Sequence, residues 1–293
     1  MTTFEDSVAV VTGGGSGLGR ACALAFAMAG ADVVVADIDQ AAREAVAGEV
    51  EALGRRSVAI HADLGSRVEA EQLVDLAIGW QGRCDIFLSN AAIAAGGPPH
   101  LIPLEDWEAA LRVNLWASIW TMRRVVPHML ERGSGHLAFT SSPAGLWGVP
   151  MLSPYVVSKF ALNGLAESLA VYGRGKGVAV SIVMPGPPLA TNIIRTARVT
   201  YDDDVSDAEM RDTADAAWSK IAVPPEQLAE VIVDGIREER FYIFHSPQTP
   251  VAASERFGDL DGWLARMSDD LEHHGHGTDP LVSSRRTASS LGG

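Results

Sequence analysis

Tyr155 and Lys159 stand four residues apart in Tyr155-Val156-Val157-Ser158-Lys159. On a helix that spacing puts the phenol and the ammonium on one face. A cation beside a phenol favours the phenolate and draws its pKa down from about 10 toward the working pH. The pair alone is commonplace, and a surface helix displays it equally well. Upstream, Ser141-Ser142 closes an apolar run that reads as a strand, at the end where a parallel sheet presents its ligands. A hydroxyl, a phenol and an ammonium together are the parts of a site that moves a proton to or from an oxygen atom.

A second constellation lies near the N-terminus, in Thr12-Gly13-Gly14-Gly15-Ser16-Gly17-Leu18-Gly19. Glycines between a strand and a helix let the backbone approach a pyrophosphate, and the helix then offers free N–H groups and the positive end of its dipole. A lone glycine cluster marks any tight turn, but the strand-to-helix context is the one nucleotide binding requires. The next strand ends in Asp37. A carboxylate there accepts from ribose hydroxyls and repels a 2′-phosphate. Arg20 and Arg43 are the nearest basic residues, so the reading favours NAD over NADP. A solvated strand-end carboxylate is the plainer alternative.

Short β-branched runs alternate with helical stretches along most of the chain. Strands are expected at Ser7–Thr12, Val33–Ala36, Ser57–His61, Ile86–Leu88, His136–Thr140, Val178–Val183 and Phe241–Phe244. Helices are expected at Gly17–Gly30, Gln40–Leu53, Arg67–Trp80, Pro154–Tyr172 and Glu226–Glu238, with one long helical region over Trp107–Glu131. Near-continuous apolar strands are buried on both faces, and helical crossovers make them parallel and right-handed. The fold class is therefore α/β: a doubly wound parallel sheet, a Rossmann fold in three α/β/α layers. Residues 1–250 form the nucleotide-binding domain, with a substrate lobe at about 187–222, and 251–293 form a C-terminal extension. Phe257, Leu260, Trp263, Leu264 and Met267 have near-helical spacing, within a short helix around Gly258–Leu271, and should pack on the domain. Residues 272–293 have few apolar anchors and should be dispensable for cofactor binding.

At these motifs, over roughly residues 5–245, the chain resembles the compact single-domain branch of the short-chain dehydrogenase/reductase family. The family's T-G-x-x-x-G-x-G is met by Thr12, Gly13, Gly17 and Gly19. Its N-A-G is matched by Asn90-Ala91-Ala92, with alanine in the last place. Its mid-helix asparagine is matched by Asn114, its serine by Ser142, its Y-x-x-x-K by Tyr155 and Lys159, and its P-G by Pro185-Gly186. The resemblance implies hydride transfer between NAD and an alcohol or ketone. Tyr155 is then the general acid/base; Lys159 lowers its pKa and bonds the nicotinamide ribose. Ser142 orients the substrate oxygen, and Asn114 holds a water that links Lys159 to solvent. The cofactor set it implies is Gly13, Ser16, Gly17, Leu18, Gly19, Asp37, Asp63, Leu64, Asn90, Ala91, Tyr155, Lys159, Pro185, Gly186 and Thr191, with no metal. One departure stands out: Thr191 lies six residues after Pro185 where the family has five, Pro187-Pro188 adding one. The resemblance also implies that the long helices 107–132 and 154–172 pair across a protomer interface, giving a homo-oligomer, a dimer or a tetramer.

Several features carry a weaker signal. Leu146, Trp147, Met151 and Leu152 cluster between Ser142 and Tyr155 and suggest a substrate with an apolar body; Trp147 reads equally well as structural. Trp116 and Trp120 share a helix face and suit either a protomer contact or core packing. His273, His274 and His276 form a tract that reads as solvated linker rather than a metal site, and Asp202–Asp212 reads as a solvated face. The charge of −14, from 23 basic and 37 acidic residues, argues against nucleic acid or an anionic membrane as partner. Two cysteines, Cys22 and Cys84, read as buried thiols, and no apolar stretch approaches the ~20 residues of a membrane span. With no leader-like apolar start, the expected compartment is the cytoplasm. Two rivals remain: a nucleotide-sensing regulator on the same fold, and a lyase or dehydratase that uses the same tyrosine.

Overall fold

The computed structural model describes residues 1–186, 193, 197–200 and 223–274. The expectations for Pro187-Pro188, Thr191, the acidic stretch 202–212, His276 and the tail lie outside the described residues, as do the side chains of His273 and His274. Seven parallel strands form the main sheet: β1 (Val8–Thr12), β2 (Asp32–Asp37), β3 (Ser57–His61), β4 (Ile86–Ser89), β6 (Gly135–Thr140), β7 (Val178–Met184) and β9 (Tyr242–Phe244), in the order β3-β2-β1-β4-β6-β7-β9. The order reverses beside β1, where β4 pairs on its free edge with Ala9 against Ile86 and Val11 against Leu88. That reversal opens the crevice in which such sheets take ligands.

Strand alternation sends side chains to two cores. Val8, Val10, Phe87, Leu137 and Phe139 face one side, where α3 (Arg67–Gln81), α5 (Ala117–Arg132) and α6 (Ser153–Gly173) supply Leu73, Val125 and Leu162. Ala9, Val11, Ile86, Leu88 and Ala138 face the other, against Phe26 of α1 (Gly17–Met28), Val46 of α2 (Gln40–Ala52) and Ile232 of α7 (Pro225–Arg237). Burial on both faces is why these strands are apolar at successive positions rather than at alternate ones. Cys22 and Cys84 are buried free thiols.

Three features differ from the sequence reading. The helical region over Trp107–Glu131 is interrupted: α4 (Leu104–Leu111) passes through a π-helical turn, Arg112–Trp116, into α5. A two-residue strand β5 (Ala95–Gly96) pairs in parallel with β8 (Arg198–Val199), a ladder too short to leave a periodic signal. The segment after β9 forms α8 (Gln248–Gly258) before α9 (Leu260–His274). Pro250 lies in the first turn of α8, where its missing N–H has no intrahelical partner to lose.

The C-terminal helices do pack on the domain, but with fewer anchors than expected. Trp263 and Met267 are buried, whereas Phe257, Leu260 and Leu264 are exposed. Trp263 tilts against Trp147 with ring centroids 5.7 Å apart.

Candidate active site

Because the strands are parallel, the segments after β1, β2, β4, β6 and β7 all emerge at one edge of the sheet. The glycine loop bends there through left-handed Gly13 (φ +62°) and Gly17 (φ +51°). A Cβ on Gly13 would come within 3.0 Å of the Ala91 Cα, and one on Gly19 would overlap the Gly13 carbonyl. Thr12 stitches loop to floor: its Oγ1 accepts from the backbone N–H of Asn90 at 2.8 Å and of Ala91 at 3.2 Å. Asn90 donates to the Thr12 carbonyl at 3.0 Å and accepts from Thr140 at 3.2 Å, so one side chain joins three strand ends. Ser16 is the N-cap of α1 and makes no side-chain capping bond, which leaves the helix-start N–H groups open to an anion.

Asp37 closes the loop from the side. One carboxylate oxygen accepts from the Gly15 N–H at 2.9 Å and the other from the Asp39 N–H at 3.0 Å. Arg43 donates to the Ile38 carbonyl at 3.3 Å, close to the same strand end, while Arg20 is taken up by Glu49. Asp63 accepts from the Gly65 N–H at 2.8 Å and its own N–H donates to Glu69 at 2.9 Å. Leu18 and Leu64 bury their side chains in the core, so backbone is what they offer a ligand. The cradle therefore fits a nucleotide cofactor, with backbone atoms at its floor and the Asp37 carboxylate at its side.

The reactive cluster sits beside it. Ser142 follows β6 in an extended conformation and accepts from the Ala144 N–H at 3.2 Å, capping a 3₁₀ turn, Pro143–Gly145. Lys159 is buried; its Nζ donates to the Thr140 carbonyl at 2.8 Å and lies 5.4 Å from the centre of the Tyr155 ring. Two of its three hydrogens have no partner among the described residues, which suits a group that must still bind something. Burial pushes the Tyr155 phenol up to about 12, against the pull of a hydrogen bond from Ser142. Burial also brings Lys159 down to about 7. This corrects the expectation of a lowered phenol pKa: in the free protein desolvation opposes charge on both groups and outweighs the pull of Ser142 on the phenol.

Asn114, in the π-helical turn, is buried. Its Oδ1 accepts from the Ile93 N–H at 2.8 Å, and its Nδ2 donates to the Ile93 carbonyl at 2.9 Å and to Ser158 at 3.1 Å. Ser158 in turn donates to the Tyr155 carbonyl at 2.7 Å. Both amide hydrogens are thus committed to bracing the loop against α6, and only a spare lone pair on Oδ1 is left to hold the expected water. Gly186 is buried beside half-buried His245, whose pKa burial lowers against a hydrogen bond to the Gly186 backbone. Of the four residues expected to form an apolar pocket, Leu146 and Trp147 are core, and only Met151 and Leu152 keep accessible surface. Met151 has φ +63° and its carbonyl accepts from the Gly97 N–H at 2.8 Å.

Sequence reasoning passed over Thr140, Ser158 and Ile93, each of which holds a site residue in place. Two act through backbone carbonyls, which carry no residue-type signal, and Ser158 reads as an ordinary helix serine.

A parallel doubly wound sheet with a glycine cradle at its switch point and a Ser–Tyr–Lys cluster beside it defines a nucleotide-dependent oxidoreductase class. The chain belongs to the short chain dehydrogenase family, which matches residues 7–202. Among its relatives, 1-deoxy-11-beta-hydroxypentalenate dehydrogenase of Streptomyces exfoliatus is 33% identical over 263 residues, 88% of this chain and 89% of that protein. Cyclohexanol dehydrogenase of an Acinetobacter species is 34% identical over 184 residues, 62% of this chain and 73% of that protein. A solved short-chain dehydrogenase/reductase of Burkholderia phymatum in complex with NAD superposes with a TM-score of 0.78 at 27% identity, covering 96% of this chain and 99% of that one. A second structure, from Beutenbergia cavernae with bound NADP, gives a TM-score of 0.73 at 27% identity over 85% of this chain and 98% of that one.

Proposed function

We propose that this oxidoreductase transfers a hydride between NAD and a secondary alcohol or its ketone, with Tyr155 as general acid/base. The observation that carries the reading is the meeting of Ser142, Tyr155 and Lys159 at the mouth of the glycine cradle. NAD would supply the hydride acceptor, held by the Gly13–Gly19 loop, Asp37, Asp63, Asn90, Ala91, Lys159 and the Pro185–Gly186 turn, with Thr191 the further contact that the resemblance implies.

Ser142 orients the substrate oxygen toward the phenol, and Tyr155 takes or gives the hydroxyl proton. Lys159 stabilises the phenolate whenever it carries its own proton. A phenol near 12 is a proton donor at neutral pH. Ketone reduction is therefore flat with pH up to the phenol's ionisation. Alcohol oxidation, which needs the phenolate, rises with pH below it. Met151 and Leu152 leave an apolar wall for the substrate body, in keeping with relatives named for cyclohexanol and hydroxypentalenate.

In this reading residues about 187–222 are assigned to the substrate lobe and residues 251–293 to an extension of a single domain. Trp116, half exposed, stacks on Trp120 at 6.1 Å on α5; this face and α6 are the proposed homo-oligomer contacts, forming a dimer or tetramer. No described helix is long and apolar enough to cross a membrane, and two buried free thiols fit a reducing cytoplasm.

The test is a panel of alicyclic, aromatic and steroid alcohols incubated with NAD or NADP, followed by the absorbance of the reduced nicotinamide. Turnover with NAD that Tyr155→Phe lowers by about 10² or more supports the assignment. Conversion of a substrate without net reduction or oxidation of nicotinamide would identify a lyase or dehydratase instead.

A further inference from the structure

Three successive turns of α6 grip one short segment. Tyr155, Lys159 and Asn163 follow at intervals of four and share a helix face. Ser142 draws the Tyr155 phenol pKa down against burial, Lys159 donates to the Thr140 carbonyl at 2.8 Å, and Asn163 Nδ2 donates to the Gly145 carbonyl at 2.9 Å. The first two contacts belong to the reactive cluster already described. The third falls on the last residue of the 3₁₀ turn that Ser142 begins.

The turn rests directly on the helix at that point. A Cβ on Gly145 would lie 2.7 Å from Asn163 Nδ2, 2.8 Å from Ser141 Oγ and 2.9 Å from the Lys159 carbonyl. Gly145 N–H donates back to the Ser142 carbonyl at 2.8 Å. Any movement of Gly145 is thereby passed to Ser142. Asn163 is 6% exposed, and its Oδ1 has no partner among the described residues. A buried acceptor left unpaired is a stability cost that leucine, of similar size, would avoid. What the amide supplies that leucine cannot is the donor to Gly145.

We propose that Asn163 is a positioning residue that clamps the 3₁₀ turn onto α6 and so sets the distance between the Ser142 hydroxyl and the Tyr155 phenol. The proposal rests on Tyr155 acting as the acid/base. Asn163 touches neither substrate nor cofactor; it acts through Gly145 and Ser142. A displacement of about 1 Å in such a pair costs roughly 10²-fold in rate.

The test compares the full-length wild type with Asn163→Leu, Asn163→Asp and Tyr155→Phe on a substrate from the panel. Asn163→Leu should lower kcat by about 10- to 100-fold while the Kd for NAD, read by protein fluorescence, stays within about twofold of wild type. Because the Ser142 hydrogen bond holds the phenol down, the inflection of alcohol oxidation should move to higher pH. Asn163→Asp keeps the shape, and only its protonated carboxyl can donate to Gly145. Its ketone reduction should therefore approach wild type in acidic buffer and fall as the carboxyl ionises, giving a second readout if the leucine variant does not fold.

An unchanged kcat and inflection in folded Asn163→Leu would overturn the clamp, as would equal loss of NAD affinity and kcat. Near-normal turnover in Tyr155→Phe would instead sink the underlying acid/base reading, whatever the Asn163 variants do.

Discussion

Cofactor choice at Asp37 gives the sharpest test of the site, because the structure separates two roles of one carboxylate. One oxygen holds the Gly15 N–H at 2.9 Å and so shapes the glycine loop; in the proposed reading the charge as a whole repels a 2′-phosphate. Asp37→Asn keeps an acceptor for Gly15 and removes the charge. Asp37→Ala removes both. Two groups of charge −1 and about −1.5 at about 5 Å repel by roughly 1.2 to 2.5 kcal/mol at an effective dielectric of about 40 to 80. That corresponds to about 8- to 70-fold in relative affinity. The asparagine variant should therefore move the NAD-to-NADP ratio of kcat/KM by about tenfold or more toward NADP with little change in melting temperature. The alanine variant should weaken both cofactors, since the loop loses its tether. Arg43, beside the Ile38 carbonyl, is then the cation free to meet the phosphate, and adding Arg43→Ala to Asp37→Asn should reverse part of the gain. Steady-state kinetics with both cofactors at low and high salt reads all of this, because the wild-type preference should narrow with salt while that of the asparagine variant should not. A ratio unchanged within about twofold in Asp37→Asn would refute the repulsion argument.

Tyr155→Phe should lower kcat by about 10² to 10⁴ while NAD binding, followed by fluorescence titration, is retained. His136 is buried with its ring bonded to Thr2 at 3.0 Å and Ser181 at 2.7 Å, and burial holds its pKa down at about 4. The unfolded chain takes up that proton below about pH 6.5 and the folded chain does not. Stability present above that pH is therefore lost as the pH falls toward 4, by about 3 kcal/mol in all. Urea unfolding across that range should show the slope, and His136→Gln should flatten it; a parallel slope in the variant would assign the acid limb elsewhere. Trp263→Ala should expose Trp147 and loosen α9, seen as a red-shifted emission and a weaker near-ultraviolet circular dichroism signal with NAD affinity intact. Unchanged spectra would show that the tilted ring pair does not hold the helix.

The alternation of apolar runs with helical stretches was sufficient for the sheet and its crossovers, because strands buried on both faces must be apolar throughout and parallel neighbours must be joined by helices. The glycine loop was legible for a similar reason: Gly13 and Gly19 leave no room for a Cβ, so residue type there reports backbone geometry directly. The positions of Asp37, Ser142, Tyr155 and Lys159 also followed from the chain, since each lies at a fixed offset from a strand end or along one helix face. What the chain alone left open was how the surroundings act on those groups. Desolvation depends on everything packed around an atom, so the phenol expected to be acidic is raised and the ammonium lowered. Backbone partners such as the carbonyls of Thr140, Gly145 and Ile93 have no residue signature and emerge only when distant segments meet. The same holds for Trp147, expected at a pocket wall and found in the core, because the helix that covers it comes from 116 residues further along the chain, at Trp263.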